Sequence, residues 1–106
     1  MSVSRQQLEA LLKKQRKQCA LTGRPLTPAN CSLDHVWPLS KGGAQNIENV
    51  QLVTREANQA KGAMTPDEFL KLCADVLAEA RRQKRRKARA HRRIRGRASR
   101  NRHPWQ

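Results

Sequence analysis

The alternation of apolar and polar residues divides the first 80 residues into helical ends and a centre with short strands. Leucines at i, i+3 and i+4 predict an amphipathic helix over residues 4–17, and Ser4 with Gln7 forms the pattern of a capping box. In the centre, residues 33–37 and 50–53 have the composition of short strands. The order of these segments predicts a small α+β fold.

Two further helices are expected after the second strand. Thr54 has the pattern of an N-cap for a short helix that ends at Lys61. Thr65 with Glu68 forms a second capping box. The apolar residues that follow at helical spacing predict an amphipathic helix over residues 65–80 that docks on the core.

Charge is distributed unevenly along this pattern. Residues 1–80 contain 10 Lys and Arg and all 8 Asp and Glu, whereas residues 81–106 contain 13 Lys and Arg and no acidic residue. A net charge of +15 on 106 residues indicates a polyanionic partner, either nucleic acid or an anionic membrane surface. We interpret the last segment as a basic extension, partly helical or disordered, that binds nucleic acid. Its basic residues expected to contact phosphate are Arg81, Arg82, Lys84, Arg85, Arg86, Lys87 and Arg89.

Length and cysteine content narrow the class of protein further. A chain of this length is one domain at most, with an arm. Residues 1–18 contain no apolar signal-peptide region, and no apolar run approaches the roughly 20 residues that span a bilayer, so a cytoplasmic protein is expected. Cys19, Cys31 and Cys73 form no CxxC pair, and we interpret them as small buried apolar residues in a reducing compartment.

Polar residues in the centre of the chain have the chemistry of metal-assisted phosphodiester hydrolysis. The carboxylate of Asp34 suits a hard divalent ion, and Asn58 supplies an amide oxygen as a second ligand. A neutral imidazole at His35 can take a proton from water near physiological pH. Asn49 can fix either the imidazole tautomer or the loop, and Lys61, one turn after Asn58, can meet a phosphate. Taken singly, each residue is more often structural, so the functional interpretation depends on their combination.

Three segments of the centre together resemble the motif of the HNH endonucleases. They read DHVWPLSKGG at 34–43, IENVQLV at 47–53 and NQAKG at 58–62, and the resemblance spans about residues 18–63. It implies a ββα-metal (His-Me) finger as the core of the α+β fold, flanked by an N-terminal and a C-terminal helix and followed by a basic C-terminal arm. The expected segments are an N-terminal helix at 1–18, a nuclease core at 19–64, a docking helix at 65–80 and a nucleic-acid-binding extension at 81–106.

The resemblance also implies a role for each central residue. His35 matches the general base, Asn49 matches the residue that orients the base and the loop, and Asn58 stands where the last His often stands, which makes this the HNN variant. Asp34 and Asn58 match the metal-ligand positions, so one Mg²⁺ or Mn²⁺ per site is expected. DNA is the expected substrate, nicked on one strand per active site. The candidate DNA contacts within the core are Lys41, Arg55 and Lys61.

The chain departs from many members of that family at two CxxC pairs that bind a structural zinc. The corresponding positions hold Cys19, Thr22, Thr54 and Ala57, and one thiol cannot hold a tetrahedral zinc. We therefore expect no structural zinc. The helices on either side of the core are expected to offset the lost metal through packing.

Other interpretations are compatible with the sequence. A non-catalytic DNA- or RNA-binding protein could use the same finger, with the basic arm as its main binding element. For a nuclease, RNA is an alternative substrate. A purely structural zinc module is disfavoured by the missing thiols. A monomer or weak homodimer is expected, in the cytoplasm of a bacterial or phage-infected cell.

Overall fold

The computed structural model describes residues 3–100, with side chains described for residues 3–96. The chain forms two compact units, the first ending at Phe69 and the second beginning at Leu70. The expected small α+β fold, with a ββα core flanked by helices, is confirmed. In chain order its elements are α1 (Arg5–Lys14), β1 (Cys31–His35), β2 (Val50–Thr54), α2 (Arg55–Lys61) and α3 (Pro66–Arg100), with short 3-10 turns at Leu39–Lys41 and Ile47–Asn49.

Helix α1 begins with the capping box that its sequence predicts. The backbone N–H of Gln7 donates to Ser4 Oγ at 3.1 Å, and the backbone N–H of Ser4 donates to Gln7 Oε1 at 2.8 Å. The helix ends at Lys14 rather than at residue 17. Arg16 and Lys17 both adopt φ of 56°, and this left-handed conformation ends a right-handed helix.

The core lies where α1 and α2 meet the two-stranded sheet. Strands β1 and β2 pair antiparallel, with Leu33 opposite Leu52 and His35 opposite Val50. Val53 is completely buried. The buried cluster consists of Cys19, Leu26, Leu52, Val53 and Ala57, and the three leucines of α1, Leu8, Leu11 and Leu12, pack against it. The three leucines are partly buried by this packing, which agrees with the amphipathic helix that their spacing predicts.

A side-chain amide ties the end of α1 to the sheet. Gln15 Oε1 accepts from the backbone N–H of Leu52 at 2.9 Å, and Gln15 Nε2 donates to the Leu52 carbonyl at 2.8 Å. The side chain therefore bonds both backbone groups of one strand residue, as a neighbouring strand would. It satisfies the Leu52 N–H at the edge of the two-stranded sheet, while the Leu52 carbonyl also accepts from the backbone N–H of Ala20 at 3.0 Å.

The starts of α2 and α3 also follow the sequence prediction. The backbone N–H of Ala57 donates to Thr54 Oγ1 at 3.2 Å, which makes Thr54 the N-cap of α2. The backbone N–H of Thr65 donates to Glu68 Oε1 at 2.8 Å, and the backbone N–H of Glu68 donates to Thr65 Oγ1 at 3.3 Å. The second capping box is therefore also confirmed.

Helix α3 continues without interruption past residue 80, where the expected docking segment gives way to the basic extension, and reaches Arg100. Three apolar residues of the expected docking face, Leu70, Val76 and Leu77, are more than half exposed. The docking of this helix on the core stays a prediction. Within residues 3–100, no helix combines the length and the apolar character that a membrane crossing requires.

Candidate active site

Three of the residues expected to act on a phosphate line one pocket. A cavity of about 250 Å³ is bordered by Asp34 and His35 from β1 and by Asn58 from α2. The antiparallel sheet places the end of β1 beside the start of β2, and α2 follows β2 directly, so three separated sequence positions meet. The rest of the lining comes from the loop after β1 and the turn after α2, namely Leu33, Pro38, Leu39, Ser40, Gly62 and Ala63.

Asp34 and His35 are neighbours on a strand, yet both line this pocket. Successive strand residues point to opposite faces, so a shared pocket requires the strand to end or bend at this point. Strand β1 does end at His35. Asp34 is buried at 5% exposure, whereas His35 is only partly buried. No hydrogen bond engages the His35 imidazole among the described residues, which leaves the ring available for a substrate proton.

Asn49 holds the loop that follows β1. Its Oδ1 accepts from the backbone N–H of Trp37 at 2.9 Å, and its Nδ2 donates to the carbonyls of Trp37 at 2.9 Å and Ala44 at 2.7 Å. Of the two roles that the sequence allows for Asn49, these contacts provide the one that fixes the loop. Within the described part of the chain, Asn49 forms no bond to the imidazole of His35.

Gly43 makes the same loop possible by a close backbone approach. A Cβ at this position would lie 1.9 Å from the carbonyl oxygen of Trp37, a distance that no side chain tolerates. The backbone N–H of Gly43 also donates to the Pro38 carbonyl at 2.9 Å. The loop therefore folds back on itself, and it presents Pro38 and the next two residues to the pocket.

Lys61 does not occupy the surface position that a phosphate contact requires. Its side chain is only 1% exposed, and its Nζ lies 3.1 Å from Asp34 Oδ2 and 3.2 Å from Asp34 Oδ1. The Nζ also donates to the His35 carbonyl at 3.0 Å. The structure places the Lys61 ammonium in a buried ion pair with the candidate metal ligand, and its expected DNA contact stays a prediction.

The sequence reasoning missed a second partner of this carboxylate. Gln51 Nε2 donates to Asp34 Oδ2 at 2.9 Å. Gln51 is the residue of β2 directly opposite Asp34 in the antiparallel register. An alignment of β1 with β2 in this register would have placed Gln51 opposite Asp34, and directly opposed side chains of paired strands interact.

Asn58 is oriented by one hydrogen bond and keeps an oxygen available. Its Nδ2 donates to Ser32 Oγ at 2.8 Å, and none of the described hydrogen bonds uses its Oδ1. Asp34 and Asn58, whose side chains carry oxygen atoms that can serve as metal ligands, therefore line the same pocket. Within residues 3–96, no group of three or more His, Cys, Asp or Glu forms a dedicated metal cage. The donor set fits an ion such as Mg²⁺, which keeps several waters and takes further oxygens from a phosphate substrate.

The residues at the four positions expected to correspond to CxxC pairs make other contacts in this structure. The Cys19 Sγ accepts from the backbone N–H of Thr54 at 3.3 Å, while Thr54 also caps α2 and Ala57 packs in the core. Burial opposes ionisation of Cys19, but a hydrogen bond from the Thr22 hydroxyl and bonds from the backbone of Thr54, Leu21 and Thr22 lower the pKa of the thiol to about 7. The absence of a structural zinc stays a prediction.

The basic residues expected to meet DNA differ in their availability. Lys41 Nζ lies 2.5 Å from Glu68 Oε1, and this bond, together with one from the Thr65 backbone, lowers the pKa of Glu68 to about 2. Arg55 is exposed on the first turn of α2. On α3, Glu79 forms ion pairs with two of the arginines. All seven expected residues of the arm are exposed: Arg81, Arg82, Lys84, Arg85, Arg86, Lys87 and Arg89, of which Arg82 and Arg86 bind Glu79.

Comparison with known proteins gives two matches to this chain. A family model described as HNH endonuclease matches residues 19–73, a range that contains the whole pocket. The CRISPR-associated endonuclease Cas9 of Corynebacterium diphtheriae is 38% identical over 52 residues. That alignment covers 48% of this chain and 5% of the Cas9 protein, so the chain corresponds to a small part of this relative.

Proposed function

Because this chain belongs to the HNH endonuclease family, we propose that it hydrolyses phosphodiester bonds of DNA with the help of one Mg²⁺ or Mn²⁺ ion. The observation that supports the proposal is that Asp34, His35 and Asn58 line the same pocket. A carboxylate, an imidazole and an amide oxygen are the groups that such a reaction uses, and separate elements of the fold bring them together.

In the proposed reaction His35 is the general base. Its imidazole accepts the proton of a water molecule as the water oxygen attacks phosphorus, and the bond to the leaving oxygen breaks on the opposite side. Asp34 and Asn58 Oδ1 would hold the divalent ion, which would stabilise the charge that develops on the phosphate oxygens. Lys61 binds the carbonyl of His35, and Asn49 holds the loop that begins two residues later, so both fix the backbone around the base.

We propose that the basic residues of the arm, residues 81–106, provide binding free energy for nucleic acid. The exposed basic residues of α3 have no matching acidic residues after Glu79 in the sequence. Neutralisation of phosphates by Lys and Arg releases counterions and stabilises a complex without regard to base sequence. One active site cuts one strand at a time, so cleavage of both strands requires two copies or two encounters.

A non-catalytic nucleic-acid-binding role is the second candidate, and one observation favours it. Both carboxylate oxygens of Asp34 already lie within 3.2 Å of the Lys61 ammonium. A site that had lost its metal could be held together by such a pair. This alternative requires only the arm and the surface of the core, and it predicts DNA binding that is indifferent to divalent ions.

The experiment that separates the two candidates uses supercoiled plasmid and the purified full-length chain. Conversion to the nicked circle is followed with Mg²⁺, with Mn²⁺ and with excess chelator. The proposal expects nicking that requires the ion and that Asp34→Ala abolishes, while plasmid binding is retained. Plasmid that is bound but never nicked under any of these conditions would leave the binding role as the function. Nicking that persists in chelator would show that the reaction does not depend on the ion.

A further inference from the structure

The ion pair of Asp34 and Lys61 is almost completely removed from solvent. The two side chains are 5% and 1% exposed, and the ammonium contacts both carboxylate oxygens. Surface pairs of this protein differ sharply: Lys71 and Asp75, for example, are 76% and 62% exposed. A buried pair is weakly screened, so each charge has a large effect on any third charge placed nearby.

The position of Lys61 is fixed by more than its partner. Its Nζ also donates to the His35 carbonyl at 3.0 Å, and its stem lies on the last turn of α2, which packs on the sheet. The ammonium therefore has a backbone anchor that does not depend on the carboxylate. A cation that binds Asp34 meets an ammonium that stays nearby.

The charge balance of the pocket follows from this arrangement. Among the residues that line the pocket in the described part of the chain, Asp34 is the one acidic residue. The ammonium of Lys61 cancels its charge, so the protein groups around the pocket carry no net negative charge when His35 is neutral. A divalent cation therefore gains little Coulomb energy from the protein alone. A phosphodiester supplies the missing negative charge and further oxygen ligands.

We propose that Lys61 is a built-in counter-ion of Asp34 that keeps divalent-ion affinity low until a phosphodiester occupies the pocket, so that the ion and the DNA bind cooperatively. The inference rests on the proposed function, since it concerns the same pocket and the same ion. Lys61 is a positioning residue in this scheme, because it acts on the ion through Asp34. Reciprocal coupling follows: if DNA raises affinity for the ion, the ion raises affinity for DNA by the same factor.

The test measures Mn²⁺ binding by calorimetry without DNA, on the full-length wild type and on Lys61→Met. Removal of the ammonium leaves the Asp34 charge uncompensated, so Lys61→Met should bind Mn²⁺ at least about tenfold more tightly than the wild type. Lys71→Met is the matched control, because it removes the same charge from an exposed pair and should leave Mn²⁺ affinity unchanged. Equal Mn²⁺ affinity of the wild type and Lys61→Met would overturn the proposal.

If Lys61→Met does not fold, a second measurement tests the proposed cooperativity between the ion and DNA. Mn²⁺ affinity is measured on the His35→Ala chain, which keeps both proposed ligands and leaves DNA uncut, with and without a short duplex. The proposal expects affinity at least about tenfold higher with the duplex, and equal affinities would overturn it. The proposed function fails separately, in the plasmid experiment, if the wild type never nicks or if Asp34→Ala nicks as well as the wild type.

Discussion

The side-chain amide of Asn49 hydrogen-bonds both the backbone N–H and the carbonyl of Trp37, each at 2.9 Å, and also reaches the carbonyl of Ala44. The strand pairing ends at His35. Beyond that point, the Asn49 side chain provides hydrogen bonds that close the loop bordering the pocket. Backbone bonds inside the loop, such as the one from the Gly43 N–H to the Pro38 carbonyl, shape the turn itself, and the Asn49 amide links this turn to the start of β2.

Asn49→Ala removes three hydrogen bonds of this loop. We expect it to lower the free energy of unfolding by about 1–3 kcal/mol, because backbone groups of the loop lose their partners. Plasmid nicking should fall as well, while Mn²⁺ affinity changes little, since Asp34 and Asn58 are untouched. Asn46→Ala is the control: Asn46 only caps a short turn through a 3.2 Å bond from Glu48, so its loss should cost less. Equal losses in urea unfolding for the two variants would contradict this role of Asn49.

Gly42 and Gly43 provide a matched pair for testing the same loop. Gly42 has φ of 87°, and a Cβ added there would meet open space, so Gly42→Ala should cost only the strain of a left-handed alanine, about 1–2 kcal/mol. Gly43→Ala would place its Cβ 1.9 Å from the Trp37 carbonyl oxygen, which forces the backbone to move. We expect the second variant to be clearly less stable in urea unfolding and to lose nicking. The reverse order of stability would show that the loop has a different fold.

Ionisation of Cys19 should make its contribution to the stability of the fold increase with pH. Burial opposes ionisation, but hydrogen bonds outweigh it and lower the pKa of the thiol from 9.0 to about 7, so the folded chain loses this proton more readily than the unfolded chain. The thiolate therefore adds stability as pH rises from about 7 to about 9, and this contribution is absent below that window. The stability lost on Cys19→Ser should be larger at pH 9 than at pH 7, measured by urea unfolding with reductant present.

The control for that experiment is Cys73→Ser, which changes an exposed thiol of α3. Its effect on stability should be the same at both pH values. A Cys19→Ser effect that is also independent of pH would contradict the hydrogen-bonded thiolate.

The arm is expected to set the salt dependence of DNA binding. For duplex DNA, the slope of log affinity against log salt is about −0.9 per phosphate neutralised. If about half of the 13 basic residues after residue 80 engage phosphates, the arm accounts for some six units of slope. Deletion of residues 81–106 should therefore flatten the slope and weaken binding to all sequences alike. An unchanged slope, measured by fluorescence anisotropy between low and moderate salt, would contradict this role.

A full-length variant provides the control for that deletion. Replacing exposed basic residues of α3 by Gln retains helix propensity and removes charge without shortening the chain. The slope should then fall by about 0.9 for each residue that contacts a phosphate. The substituted residues are Arg81, Lys84, Arg85, Lys87 and Arg89, which form no ion pair with Glu79.

Features governed by nearby residues were predictable from the sequence. The capping boxes at Ser4 and Thr65, the N-cap at Thr54 and the partly buried apolar stripe of α1 depend on residues within one or two turns. The meeting of Asp34 with Asn58 was predicted from the family motif. Its support in the structure is the way α2 follows directly on β2.

Features that depend on tertiary packing were not predictable in the same way. The spacing of Lys61 after Asn58 gave no indication of which side of α2 meets the sheet, so its burial beside Asp34 was missed. Gln51 required knowledge of the strand register. The early end of α1 depends on the left-handed conformation of Arg16 and Lys17, and neither Arg nor Lys favours that conformation.

The most direct test of the account is the initial rate at which the full-length chain nicks supercoiled plasmid in Mg²⁺, compared between the wild type, His35→Ala and His91→Ala. His91 is an exposed histidine of α3, so its replacement controls for loss of an imidazole outside the pocket. His35→Ala should nick about 10²–10⁴-fold more slowly, with plasmid binding unchanged, and His91→Ala should keep the wild-type rate. A His35→Ala chain that nicks as fast as the wild type would contradict the assignment of the general base and with it the proposed active site.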